Sequence, residues 1–331
     1  MYKRLRVGIT YDVKEDYGFF ASDWKHTDFT TLAEVNYIKD IFESRGHSVY
    51  LIGNYEKLYK SLIDLSFPPV DIIFNIAEGI NSRNREGWIP SLLEMNNIPY
   101  AGSDAYGLSL SLNKAHTKII ARYLGIRTPE FCLINCERDA FVATRHIESP
   151  WILKPNYEGS SSGVAYVTDA AEFVVQAKHL LDHFKQPILC ESYIEGREAN
   201  VAVLYDGPNT ELIGVVEVVR RSGEPIHIFG AQDKQLHTCT KVNTSFSNEV
   251  NTEMVDSIIK LYKYMGCLDY GRGDFRVSST GKVYFLEINP LPSLDEESGF
   301  AKCCTFNNRK IDIVLEQIIF NALSRHKKAY Q

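Results

Sequence analysis

Two carboxylates, an amide and an arginine fall close together in one stretch of this 331-residue chain, Gly271 to Leu294. The stretch reads GRGDFRVSSTGKVYFLEINPLPSL, with apolar-rich runs at Asp274 to Val277 and Val283 to Ile288 flanking Ser278-Ser279-Thr280-Gly281. A small, polar, Gly-containing link between two such runs predicts a β-hairpin. Side chains alternate along a strand, so Arg272 and Asp274 share one face, and Glu287 and Asn289 share one face. The four groups therefore converge. Hard oxygen donors of this kind suit Mg²⁺, which binds through a few carboxylates plus substrate phosphates and keeps some water. An ordinary surface hairpin also carries solvated charges. What sets this one apart is Asn289-Pro290, which ends an otherwise apolar strand two residues after Glu287.

A second set of chemical groups lies earlier. Trp151 to Pro155 is an apolar run carrying one charge, Lys154, just ahead of Glu158-Gly159-Ser160-Ser161-Ser162-Gly163. Strand lysines usually snorkel to the surface, and Gly/Ser loops are often plain linkers. Behind a strand lysine, however, such a loop can turn several N–H groups towards an anion. It is not a Walker A loop, because no G-K-[ST] ends it. Lys114 stands at the start of a helix reading Asn113 to Leu124, where a cation opposes the helix dipole.

The elements that must position these groups follow from the apolar pattern. Leu5 to Thr10 reads as a strand, Lys14 to Asp28 as a loop, and Leu32, Val35, Ile38 and Phe42 as one helix face stopped by Gly46. Val49 to Ile52 and Ile72 to Ile76 are the next strands, so the opening is β-α-β and predicts a parallel sheet under helices. It lacks G-x-G-x-x-G, which removes support for a dinucleotide site. Ligands of such sheets sit beyond the carboxyl ends of the strands, which puts Tyr11, Asp12, Glu78 and Gly79 at a candidate rim. Phe173, Ala177, Leu180 and Leu181 mark a later helix. Ile188 to Glu191 is a strand, and Ala199 to Leu204 is a strand covered on both faces that pairs with Leu212 to Val219. Arg220 to Asn248 is polar, weakly periodic and long for a loop, which suggests a lid. Met254, Ile258, Leu261, Tyr262 and Met265 mark a helix stopped by Gly266, and Ile311, Val314, Ile318 and Ile319 mark a final helix.

Composition narrows the class. Apolar content of 44% and charged content of 24% are those of a soluble globular protein. A net charge of −6 offers no basic field for nucleic acid. No run approaches the length of a membrane span, and Met1 to Arg4 leads into a strand instead of a signal sequence. Seven cysteines, two adjacent at Cys303-Cys304 and the others scattered, with no CxxC, point to reduced thiols in a cytoplasm and away from zinc.

In order along the chain, these motifs resemble the D-alanine–D-alanine ligase family of ATP-grasp enzymes. The resemblance implies an α/β chain of three lobes: an N-terminal α/β lobe over 1–105, a central lobe over 106–190, and a C-terminal lobe over 191–331. ATP would lie between the last two. It implies that Lys114 and Lys154 hold ATP phosphates, that Ser160 and Ser161 lie in the loop over phosphates and substrate, and that Glu191 and the Ile194 backbone read adenine. It assigns Glu198 to the ribose hydroxyls and Lys234, in the polar segment, to the γ-phosphate. Asp274, Glu287 and Asn289 then hold Mg²⁺ (or Mn²⁺), and Arg272 stabilises the tetrahedral intermediate. The implied reaction joins a carboxylate to an amine through an acyl phosphate, with small-molecule substrates, no nucleic-acid or membrane partner, and a homodimer as the expected assembly.

The substrate pockets depart from the family pattern. The usual Gly-Gly-x-Ser-x-Glu stretch is replaced by Tyr11-Asp12-Val13, the usual His-Gly by Glu78-Gly79, and the usual Pro-Gly-Met by Pro292-Ser293-Leu294. Asp12, Glu78 and Ser298 are the substrate-facing candidates. These departures keep the ATP chemistry and leave D-alanine unassigned. The alternatives are ligation of an L-amino acid or a larger biosynthetic acid, or nucleotide binding without catalysis. Arg272 argues against the last, since a binding module has no use for it.

Overall fold

The computed structural model describes residues 3–20, 29–206, 209–222, 226 and 238–329. Its opening follows the predicted β-α-β order: β1 (Arg6–Tyr11), α1 (Leu32–Ser44), β2 (Ser48–Gly53), α2 (Tyr55–Ile63), β3 (Ile72–Ile76), α3 (Trp88–Met95) and β4 (Tyr100–Ala101). The four strands pair in parallel in the order β2-β1-β3-β4. Thr31 caps α1 by accepting the Glu34 N–H, and Val35, Ile38 and Phe42 are fully buried. Leu32, expected on the same face, is exposed at the helix's first turn. The expected loop after β1 contains a 3₁₀ turn at Lys14–Tyr17, closed by Gly18 in the left-handed region at φ +72°.

Next come α4 (Ala105–Leu112) and α5 (Lys114–Tyr123), then β5 (Phe131–Ile134), α6 (Glu137–His146), β6 (Trp151–Pro155), β7 (Ala165–Val167), α7 (Ala170–Phe184) and β8 (Ile188–Ser192). These strands form an antiparallel sheet in the order β5-β8-β6-β7. Trp151, Leu153, Phe173, Ala177 and Leu180 build its core with α6 and α7.

The last sheet holds β9 (Gly196–Asp206), β10 (Asn209–Arg220), β11 (Cys239–Asn243), β12 (Asp269–Ser278) and β13 (Val283–Asn289), in the order β11-β10-β9-β12-β13. β9 is buried on both faces from Ala199 to Leu204, as its alternation predicts. β11 corrects the reading of 220–248 as one loop: Cys239–Asn243 pairs antiparallel with β10 from Val216 to Arg220. A short, polar strand at a sheet edge has too weak a period to be read from sequence. α8 (Asn248–Met265) buries Met254, Ile258, Leu261, Tyr262 and Met265 and stops at Gly266, whose φ is +70°. α9 (Gly299–Phe306) and α10 (Ile311–Ala329) complete the described chain.

Apolar packing joins sequence-distant parts. Ala121 and Ile126 share a core with Met254, Phe275 and Phe285, so α5 rests on the last sheet. α10 returns to the first sheet: Val314, Leu315 and Ile318 pack in one cluster with Val7, Ile9 and Phe74.

Candidate active site

β12 is the platform. Gly271 and Gly273 face α8, where a β-carbon on Gly271 would stand 1.2 Å from the Tyr262 hydroxyl and one on Gly273 would stand 2.3 Å from Ile258. Absent side chains on that face let the helix close against the strand. The alternate residues, Arg272 and Asp274, project from the other face. Strand register then builds rows across it: Arg272 opposite Asn289, and Asn200, Asp274 and Glu287 side by side on β9, β12 and β13.

Four N–H donors converge on the buried Asp274 carboxylate. Arg272 gives two, Nε to Oδ1 at 2.7 Å and Nη2 to Oδ2 at 2.8 Å. Asn200 Nδ2 donates to Oδ1 at 2.7 Å, and Asn289 Nδ2 donates to Oδ2 at 3.0 Å. A carboxylate has about four lone-pair positions, so this one is saturated. Burial works against the Arg272 charge, and Asp274 beside it holds the guanidinium pKa above its ordinary value.

A second platform meets the first across a cleft. Asn156, fully buried after β6, receives the start of α5: its Oδ1 accepts the Ala115 N–H at 2.9 Å, and its Nδ2 donates to Asn113 Oδ1 at 2.9 Å. That clamp sets Lys114 beside the last sheet, with its Nζ 3.2 Å from Glu287 Oε2. Lys154 from β6 reaches Glu191 Oε2 on β8 at 2.5 Å. Lys118, one turn beyond Lys114 and fully buried, abuts the other Glu191 oxygen. It also donates to Thr128 Oγ1 at 2.8 Å. Burial pushes the Lys118 pKa down to about 8 against the pull of Glu191. Burial also disfavours the Glu191 charge, but the two lysines prevail and hold its pKa below the usual carboxylate range.

Lys114, Lys154, Glu191, Ile194, Glu198, Asp274 and Glu287 all line one cleft of about 790 Å³ including its open mouth. Apolar walls come from Ile152, Val164, Ile194 and Leu286. Ser161 and Ser162 reach the cleft from the loop after β6. Ser160 and Ser161 stand at φ +49° and +61°, a conformation that L-residues adopt sparingly and that recurs at ligand-covering loops.

The substrate-facing candidates sit apart from this cleft. Asp12 is buried beyond β1, where it accepts the Gly79 N–H at 2.7 Å and a short hydrogen bond from the Tyr17 hydroxyl. It thereby ties the ends of β1 and β3 together. Glu78 is half-buried beside it. Ser298 caps α9 by accepting the Ala301 N–H at 3.1 Å, which leaves its own hydroxyl proton to donate. Lys234 lies outside the described residues. Sequence reading missed Lys118, Asn156, Asn200 and Arg276. The signals were there: Lys118 is four residues from Lys114 on one helix face, Asn200 interrupts an Ala/Val run, and Arg276 continues the alternation of Arg272 and Asp274.

The family model described as D-ala D-ala ligase C-terminus matches residues 119–320. The D-alanine–D-alanine ligase of Xanthomonas axonopodis pv. citri is 29% identical over 292 residues, 87% of each chain. That of Aquifex aeolicus is 29% identical over 253 residues, 76% of this chain and 82% of its own. The crystal structure of the Bacillus anthracis D-alanine–D-alanine ligase superimposes with a TM-score of 0.77 at 20% identity, covering 98% of this chain and 99% of that one. The chain therefore belongs to the D-alanine–D-alanine ligase family, ATP-grasp enzymes that use ATP and Mg²⁺ to form a C–N bond between a carboxylate and an amine.

Proposed function

We propose that the facing platforms of β12–β13 and α5–β6–β8 are the nucleotide and metal site of an amino-acid ligase. Asp274, Glu287 and Asn289 are its magnesium ligands. One observation carries this: strand register sets Asp274 between Glu287 and Asn200, in the same cleft as Lys114 and Lys154. The donor set fits the ion by residue type, two carboxylates and an amide being hard ligands, and holding it would require Asp274 to exchange N–H donors for the cation. Magnesium, when bound, offsets negative charge on the β- and γ-phosphates.

The chain's own groups do the rest. Lys114 and Lys154 bind the phosphates, and the Ser160–Ser161 backbone covers them. The Ile194 backbone meets adenine and Glu198 the ribose. Glu191 is fixed between two lysines, so its part is to hold Lys154 in the cleft. The substrate carboxylate takes the γ-phosphoryl group, and the amine then displaces phosphate. Cations on rigid elements with no general base are what such a transfer calls for. Asp274, Glu287 and Asn289 would hold the metal, which would supply positive charge beside the phosphates, and Arg272, on the same face of β12, is the group that faces the tetrahedral oxyanion.

Both substrates are amino acids in this reading, with D-alanine, named in the relatives, as the first candidate. Glu78, half-buried at the same rim, is the ammonium partner in this reading, and Ser298 donates to the second substrate's carboxylate. The enzyme works as a homodimer in the cytoplasm. Exposed apolar side chains on and after α2, Tyr59, Ile63 and Leu65, support the dimer. Seven free thiols support the reducing compartment.

The test is a screen of D- and L-amino acids, singly and in pairs, with ATP and Mg²⁺, reading phosphate release and product mass. A dipeptide formed with stoichiometric ADP is expected. Nucleotide binding with no amide product from any pair would favour the non-catalytic alternative.

A further inference from the structure

β12 carries a third charged residue on the face of Arg272 and Asp274. Alternation brings Arg276 there, opposite Glu198 of β9 in the strand register. It lines the same cleft, and only 5% of it is exposed. Its Nη1 lies 3.6 Å from Glu198 Oε2. Its Nη2 donates to the Tyr193 hydroxyl at 3.0 Å and to the Ile226 carbonyl at 2.9 Å. The guanidinium carbon sits 4.9 Å from the centre of the Tyr193 ring. Its Nε–H is buried and has no hydrogen-bond partner among the described residues.

A buried charged donor left unpaired is costly, and native structures rarely keep one without a reason. Tyr193, Ile226 and Glu198 hold this guanidinium from three segments, so its orientation is set in advance. Its place along β12 says what it awaits. The rows run from Arg272, through Asp274 with Glu287 and the neighbouring Lys114, to Arg276 with Glu198. The middle row is the phosphate and metal end, so the third row falls on the nucleoside.

We propose that Arg276 is a specificity-determining contact to the nucleoside. Its guanidinium donates to one acceptor atom there, a purine ring nitrogen or a ribose oxygen. This rests on the cleft being the nucleotide site, and the test separates the two claims. Calorimetric titration with Mg²⁺ and ATP, 7-deaza-ATP, 3-deaza-ATP or 2′-deoxy-ATP would be run on the wild type, Arg276→Met and Arg276→Lys. Melting temperatures would check the fold, and Arg276→Lys, which keeps the positive charge but loses Nε, carries the test if Arg276→Met does not fold.

One analogue should bind the wild type about tenfold more weakly than ATP, and both variants should lose about as much ATP affinity. The variants should also cease to distinguish that analogue from ATP. A deaza analogue singled out in this way identifies a ring nitrogen; the deoxy analogue identifies the ribose. Variants that bind ATP within twofold of the wild type, or keep every analogue difference, would overturn the assignment. A wild type that does not bind ATP, with or without Mg²⁺, would overturn the nucleotide reading, and this proposal with it.

Discussion

The two proposed ends of the candidate site are built differently. At the proposed nucleotide end, Asp274, Glu287, Lys114, Lys154 and Glu191 stand on strands or at the start of a clamped helix, each bonded to a group from another element. At the proposed substrate end, Asp12, Glu78 and Ser298 stand on connections, and Asp12 and Ser298 serve local structure as a strand-end tie and a helix cap. Chemistry common to a family needs cations and carboxylates fixed in advance, and regular elements fix them. Substrate choice is made on loops, which change without disturbing the scaffold. In the reading proposed above, this chain keeps the first and departs in the second.

Removing a group from the nucleotide end should cost rate; removing one from the substrate end should cost stability or substrate affinity. The largest effect is expected for Arg272→Ala. Loss of a donor that meets charge only in the transition state costs about 10²–10³ in kcat. ATP affinity, measured alongside, should hardly change. An affinity loss as large as the rate loss would make Arg272 a phosphate ligand and blur the division.

Lys118 gives a stability effect with a definite sign. Its folded pKa of about 8 lies below the ordinary 10.5, so between those values the unfolded chain binds more protons. Stability from this group therefore rises as pH climbs through that window, by up to about 3 kcal/mol for a shift of this size. Denaturant unfolding at several pH values should show the wild type gaining on Lys118→Met from about pH 8 upward. A constant difference would mean that Lys118 stays charged throughout.

The smallest effect belongs to Asp12→Ala. It leaves the Gly79 N–H without its acceptor and should cost about 1–3 kcal/mol, seen as a lower melting temperature. Glu78→Gln should instead raise the KM of the first amino acid with little change in melting temperature. The reverse pattern would exchange the two roles.

How much of this was legible in the sequence depended on period. Arg272, Asp274, Glu287 and Asn289 were found because alternation in a two-strand hairpin is a local property, and the register bears it out. α8 was read from five apolar residues at helical spacing, and all five are buried. The Lys118–Glu191–Lys154 cluster was not legible as a cluster, because β6 and β8 meet only in the sheet and α5 arrives through Asn156. β11 escaped because a polar edge strand carries little apolar signal. The motif resemblance assigned Glu191 to adenine; only the assembled geometry reveals two ammonium groups on its carboxylate.

The central claim is that the paired faces of β12 and β13 hold the metal that drives ligation. It is tested most directly by magnesium titration of acceptor-dependent phosphate release in the wild type and Glu287→Gln. The account predicts turnover that requires both Mg²⁺ and an amino-acid acceptor. In the variant, it predicts a rate lower by orders of magnitude, a weakened response to Mg²⁺ and an unchanged circular dichroism spectrum. Wild-type rate and magnesium dependence in Glu287→Gln would contradict it.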